Sequence, residues 1–210
     1  MVKDINLLPV RDQGEAGTCL AFSITAVHEY LHGIKIYLSP SYMYGVLAKY
    51  HSHLDGKNGL DFLLVKNFLA TLGQVEESAS TYEDWLCKAS FPILDEITNE
   101  KHYLSSLKKI DIEFDEIETL LSQETPIILG IQIDNAFFEV DESGIVSDDG
   151  NIYMGTHAVV AIGIRVIDET RYLLIRNSWG NKWALDGHAL ISEHYLNQRL
   201  LCAAKLERPK

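Results

Sequence analysis

An α+β fold, with a helical lobe followed by an antiparallel sheet lobe, is what this 210-residue sequence predicts. Three observations lead there. Apolar residues recur at helical spacing through the first half, and strand-like runs separated by turn residues fill the second. The length is enough to bury a proper core without metals or disulfides as staples.

Taking the elements in order, an irregular stretch Asp12-Gln13-Gly14-Glu15-Ala16-Gly17 precedes Leu20, Ile24, Val27 and Leu31, which recur at four, three and four residues. This spacing predicts an apolar helix opening at Cys19 and capped by Gly33. Ser39-Pro40 places a capping hydroxyl before a first-turn proline and predicts a second helix to about Tyr50. Leu60, Leu63, Leu64, Phe68 and Leu72 mark a third, stopping at Gly73. Tyr82 to Pro92 reads as irregular, and a weaker helix is expected around Ile97 to Leu107. Beyond Asp111 a short helix follows, with Asp115 and Glu118 as its capping pair. Strands are expected at Ile127 to Ile133, Ala158 to Ile167, Tyr172 to Arg176 and Ala189 to Ser192, with Gly144, Asp149-Gly150 and Asp168-Glu169 as turns. The expected organisation is one domain over 1–210. Residues 11–107 would form the helical lobe and 108–210 the sheet lobe, with 1–10 packed against the latter and the functional site in the cleft between lobes.

Composition narrows the function classes. Apolar residues make up 47% and charged residues 23%, an ordinary globular mix. A net charge of -12 repels phosphate backbones, and no Lys/Arg stripe offsets it, so nucleic acid is excluded as a partner. No apolar run approaches the roughly 18 residues that span a bilayer, so no membrane partner is expected. Cys19, Cys87 and Cys202 form an odd set without paired spacing, which suits a reducing compartment. The N-terminus has neither the basic start nor the apolar core of a signal peptide, and a cytoplasmic location is expected.

Cys19 lies where a glycine-bearing loop meets the first turn of an apolar helix. There the unsatisfied N–H groups and the helix dipole favour thiolate over thiol. Taken alone, a cysteine beside Leu20, Ala21 and Phe22 is a small buried hydrophobe. Other residues shift that balance. Gln13 stands six residues ahead of it, Thr156-His157-Ala158 runs into an apolar strand, and Arg176-Asn177-Ser178-Trp179-Gly180 is followed by Trp183 and Gly187.

These three blocks, in this order, resemble the active-site segments of papain-like cysteine peptidases. His157 lies 138 residues after Cys19, within the roughly 130 to 150 typical of the family. The resemblance covers nearly the whole chain and implies a papain-like fold with a barrel-like sheet lobe. It implies a peptide or protein substrate and no cofactor or metal. Cys19 would attack a peptide carbonyl, His157 would act as general base and acid, and Asn177 would hold the ring with Trp179 covering it. Gln13 and the Cys19 N–H would stabilise the oxyanion. Gly59, Thr156, Ala158 and Trp183 would contact substrate.

The sequence also departs from the family. Ala16 replaces the disulfide cysteine of secreted relatives, Leu20 replaces an aromatic residue, and Ala184 and His188 stand where glycine and tyrosine are common. Asn58-Gly59-Leu60 matches only the first glycine of the substrate-binding pair. Two further readings follow from the residues. The same triad supports transamidation or deamidation, or survives in a non-catalytic peptide-binding fold-mate. His28-Glu29-Tyr30-Leu31-His32 matches H-E-x-x-H, a zinc motif on a helix, with His51 or His53 as third ligand.

Overall fold

The structure, a computed structural model, describes residues 3–83 and 93–209. Most of the stretch expected to be irregular, including Cys87, lies outside the described residues. The chain divides into two compact units, one of Met1–Asp12 with Lys109–Lys205, the other of Gln13–Lys108 with Leu206–Lys210.

In the helical unit, α1 spans Cys19–His32, α2 Pro40–Tyr50 and α3 Phe62–Thr71, with a 3-10 turn at Glu77–Ala79. The start and stop signals are chemical. Ser39 Oγ accepts from the Tyr42 N–H ahead of Pro40, and Asp61 accepts from the N–H groups of Leu63 and Leu64. Gly33 closes α1 at φ 64°. Helix α1 is buried from Leu20 to Glu29, so even its polar side chains need internal partners. Gln74, fully buried, donates to Thr25 Oγ1 and the Ser39 carbonyl and accepts from His28 Nδ1. Glu29 accepts the Leu38 N–H, and His32 Nε2 donates to the Leu104 carbonyl.

Those contacts remove the zinc reading. Both histidines and the glutamate of the motif are committed to holding α1 in place, and His28 has no exposure. Among the described residues, no group of three or more His, Cys, Asp or Glu is placed to hold a metal ion.

Residues 97–105 are not helical. The backbones of Gln74 and Tyr103 pair in both directions, at 2.9 and 2.8 Å, and tertiary pairing overrides the weak helical spacing there. Strand β1 follows at Ser106–Ile110.

The remaining elements are α4 (Phe114–Ser122), β2 (Ile127–Asp134), α5 (Asn135–Phe138), β3 (Tyr153–Ile167), β4 (Thr170–Arg176), β5 (His188–Ser192), α6 (Glu193–Arg199) and β6 (Leu200–Glu207). Asp115 and Glu118 do not cap α4. Both instead accept from Arg171, which also pairs with Glu193, because a guanidinium with five donors serves several carboxylates at once. The strand order is β1-β6-β2-β3-β4-β5, so the sheet is open, with β1 and β5 at its edges, and does not close into the barrel expected. Strand β2 lies inside it with Ile127, Ile128, Leu129 and Ile131 fully buried, and puts Ile131 opposite His157 on β3. Asp168 and Glu169, both at positive φ, form the two-residue turn into β4. The N-terminal segment lies along this unit. Ile5 N–H bonds the Ile162 carbonyl, Asp4 pairs with Arg165, and Arg176 donates to the carbonyls of Leu8 and Pro9. Among the described residues no helix is long and apolar enough to cross a membrane.

Burial lowers the His28 pKa from 6.5 to about 4, against the raising effect of the Gln74 hydrogen bond. The folded value lies below the unfolded one, so this contribution to stability is complete above pH 6.5 and is lost as pH falls through about 4. Its ceiling is on the order of 3 kcal/mol. Urea unfolding at about pH 7 and about pH 4.5 is expected to show His28→Gln losing at least about 1 kcal/mol less than the wild type between the two. An equal loss in both proteins would refute the assignment.

Candidate functional site

The thiol side is built by a tight loop meeting a helix start. Residues 13–18 run into α1 at Cys19, a half-buried thiol outside any disulfide. Thr18 is the N-cap residue, yet its hydroxyl makes no cap bond. It pairs at 2.8 Å with Tyr82 Oη, which itself donates to the Gln13 carbonyl at 2.8 Å. Tyr82, edge-on to Phe22 at 4.7 Å, therefore ties both ends of the loop together. The first turn of α1 carries no acidic side chain, which keeps the positive end of the helix dipole available to an anion at the sulfur.

Gln13 is buried, and its side-chain amide donates to the Ala16 carbonyl at 2.7 Å. Gly17 N–H donates to the Gly56 carbonyl at 2.8 Å. A Cβ on Gly17 would stand 2.4 Å from the Lys57 carbonyl oxygen, so this position requires glycine for close backbone approach. Tyr44 fixes the opposing loop by donating to the Asn58 carbonyl and accepting from the Gly56 N–H. Gly59 sits exposed in that loop, with half-buried Leu60 following it.

The imidazole side is built on the sheet. His157 lies on β3, 6% exposed, and Asn177 follows the last residue of β4. His157 Nε2 meets Asn177 Oδ1 at 2.7 Å, and that oxygen also accepts the Ser178 N–H at 2.8 Å. Since Asn177 Oδ1 is an acceptor, Nε2 carries the proton and Nδ1 holds the basic lone pair. Desolvation lowers the His157 pKa to about 4, and the Asn177 bond opposes that shift.

Trp179 tilts over His157 at 4.8 Å between ring centroids, and Phe137 stands 5.8 Å away. Trp183 stacks on Phe137 at 5.1 Å and donates its indole N–H to the Phe137 carbonyl. Thr156 is exposed, Ala158 is buried in the sheet, and Trp183 is half-buried. The 177–187 turn that carries both tryptophans uses Gly180 and Gly187 at positive φ, and Ala184 is held there too at φ 45°, where a glycine would be unstrained. The residues that sequence reasoning missed are Tyr82, Phe137 and Phe138. They carry no motif, and their roles arise from contacts between residues far apart in the chain.

Comparison with known proteins agrees on one family. Residues 2–204 match the model of the papain family of cysteine proteases. The senescence-specific cysteine protease SAG12 of Arabidopsis thaliana is 28% identical over 207 residues, covering 95% of this chain and 57% of the relative. The thiol protease aleurain of the same plant is 28% identical over 192 residues, covering 86% and 51%. The chain thus spans little more than half the length of these two relatives. Xylellain, a cysteine protease from Xylella fastidiosa, superposes with a TM-score of 0.84 at 20% identity over 99% of this chain and 85% of that one, a likeness of fold.

Gly17→Ala forces backbone against backbone, and overpacking of this kind costs about 1–3 kcal/mol. At about 2–4 °C per kcal/mol for a chain of this size, a melting scan should show Tm lowered by roughly 2–12 °C. An unchanged Tm would mean the two loops are not held together as described.

Proposed function

We propose that this chain, which belongs to the papain family of cysteine proteases, hydrolyses peptide bonds of a peptide or protein substrate through a thioester at Cys19. The observation that carries the reading is the buried His157–Asn177 hydrogen bond under Trp179. It fixes the ring with Nε2 donating and Nδ1 left as the atom that can take a proton, the arrangement a general base needs before it can take a thiol proton.

In the proposed reaction His157 Nδ1 takes the Cys19 proton, and the thiolate attacks the carbonyl carbon. The oxyanion is held by the Cys19 N–H and the Gln13 amide. That amide has two hydrogens, of which the Ala16 carbonyl engages one and substrate oxygen would engage the other. The imidazolium then protonates the leaving amine, and water, deprotonated by His157, resolves the thioester. Asn177, being neutral, orients the ring and leaves the charge balance to the thiolate and imidazolium. Gly59, Thr156 and Trp183 are proposed to border the bound substrate, whereas Ala158 contributes through its backbone, its side chain being buried. Cys19 and Cys202 stand outside disulfides and Ala16 holds the position of a disulfide cysteine in secreted relatives, which supports a reducing compartment such as the cytoplasm.

Steady-state kinetics on a peptide library, with intact-mass detection of the products, tests this. Cys19→Ser and His157→Ala are each expected to lose at least about a thousandfold in turnover, Gln13→Ala on the order of a hundredfold, and Asn177→Ala less than His157→Ala. A peptidyl epoxide should label Cys19 in the wild type and fail in His157→Ala. Normal turnover by Cys19→Ser would end the proposal, and products bearing a transferred amine or a deamidated glutamine would replace hydrolysis with those reactions.

A further inference from the structure

We propose that Tyr82 is a positioning residue for oxyanion stabilisation: its hydroxyl closes the 13–18 loop and so keeps the Gln13 amide at a fixed separation from the Cys19 N–H. The proposal rests on the hydrolase reading above, in which those two groups hold the oxyanion. Tyr82 Oη lies 2.8 Å from the Gln13 carbonyl and 2.8 Å from Thr18 Oγ1, and Tyr82 and Thr18 are both buried. The direction of both bonds is fixed. The Gln13 carbonyl only accepts, so it takes the single phenolic hydrogen, and the Thr18 hydroxyl must supply the hydrogen of the other bond. Thr18 immediately precedes the nucleophile, and Gln13 opens the loop. One buried hydroxyl thus sets the distance between Gln13 and the residue next to Cys19.

The Gln13 side chain depends on that closure. Its Nε2 donates to the Ala16 carbonyl at 2.7 Å, and the same carbonyl accepts the Thr18 N–H at 2.8 Å. Both anchors of the amide, its own backbone and Ala16, are therefore tied to Thr18, one through Tyr82 and one directly. Tyr82 is itself held from outside the loop. Its ring is edge-on to Phe22 of α1 at 4.7 Å, and its N–H donates to Glu77 Oε1 at 2.8 Å. Glu77 is fixed in turn by its own N–H, which donates to the Tyr37 carbonyl. An oxyanion donor acts over a narrow range, about 2.7–3.1 Å from the developing charge. A loop free to open would therefore lose transition-state stabilisation while ground-state binding of substrate stays as it was.

Tyr82→Phe keeps the ring on Phe22 and removes the hydroxyl. Peptide hydrolysis by this variant is expected to show kcat lowered about tenfold with KM within about twofold, since the interaction lost is made only in the transition state. Iodoacetamide supplies the control, because the sulfur displaces iodide with no oxyanion formed, and labelling of Cys19, read by peptide mass mapping, should keep its rate within about twofold. The same labelling gives the amount of reactive Cys19, so kcat is expressed per reactive thiol and a poorly folded preparation does not imitate the effect. Gln13→Ala should absorb the loss: in that background Tyr82→Phe is expected to change kcat by less than about twofold. Thr18→Val, which removes the donor to Tyr82, should repeat the pattern with kcat lowered about threefold. An unchanged kcat in either single variant, an equal loss in iodoacetamide labelling, or a loss that persists undiminished in Gln13→Ala overturns the proposal and leaves the hydrolase reading standing. A wild type that neither cleaves peptides nor is labelled at Cys19 overturns the hydrolase reading and the proposal with it.

Discussion

The hydrogen bond from His157 Nε2 to Asn177 Oδ1 imposes the strictest geometric demand on the sheet unit. Its two residues belong to neighbouring segments, one within β3 and one just beyond β4, so a one-residue slip between the strands would turn one side chain to the other face and break it. The register is pinned from several sides. Strand β2, with Ile127, Ile128, Leu129 and Ile131 fully buried, pairs antiparallel with β3, and the Asp168-Glu169 turn fixes where β4 begins. Arg176, next to Asn177, is tied to the carbonyls of Leu8 and Pro9, and Asn177 N–H to the Gly187 carbonyl. The aromatic cover is part of the same constraint, because a hydrogen bond kept from water is electrostatically stronger and has fewer competitors.

The thiol side solves a different problem, since a loop must deliver Cys19 to the start of a helix buried on every face. Close packing of Gly17 against Lys57 and the bridge through Tyr82 do this with backbone contact and two hydroxyls. The helix is then anchored from behind by a satisfied polar cluster of His28, Gln74, Thr25 and Glu29. Polar groups there serve position, and burying them is tolerable because each major donor and acceptor but His28 Nε2 has found a partner.

Much of this was legible in the sequence, for identifiable reasons. Helices α1 to α3 announce themselves through spacing and caps that act within a few residues, and Gly33 and Ser39 behave as their chemistry dictates. The candidate residues could be proposed from the sequence because their segments are contiguous: the residues around Cys19, His157 and Asn177 each carry their own context. Strand β6 was hidden because Leu-Leu-Cys-Ala-Ala-Lys-Leu has no clean period of two, and α5 and α6 are too short to show periodicity. The helix expected near Ile97 failed because pairing with Gln74, some thirty residues earlier in the chain, decides that segment. Tyr82, Phe137 and Phe138 were invisible for the same reason. The H-E-x-x-H motif shows the converse error: the helix and the i, i+4 spacing are real, but the face is turned into the core.

The proton's position on His157 follows from a chain of commitments that begins one residue past Asn177. The Ser178 N–H can only donate, so the Asn177 atom facing it must be the carbonyl oxygen. The same oxygen faces His157 Nε2, which must therefore donate as well. Asn177 Nδ2 is left buried without a hydrogen-bond partner, a cost of about 1–3 kcal/mol that rotation of the amide would not relieve, because rotation would set the amide N–H groups against the Ser178 N–H. The side chain is thus locked by a backbone group that takes no part in the proposed chemistry. An aspartate at 177 would accept the same two bonds, but its charge would raise the pKa of the imidazole and stabilise the imidazolium without need of a thiolate. With a neutral amide, the charge that stabilises a protonated His157 has to come from elsewhere, and in the proposed mechanism it comes from the sulfur of Cys19.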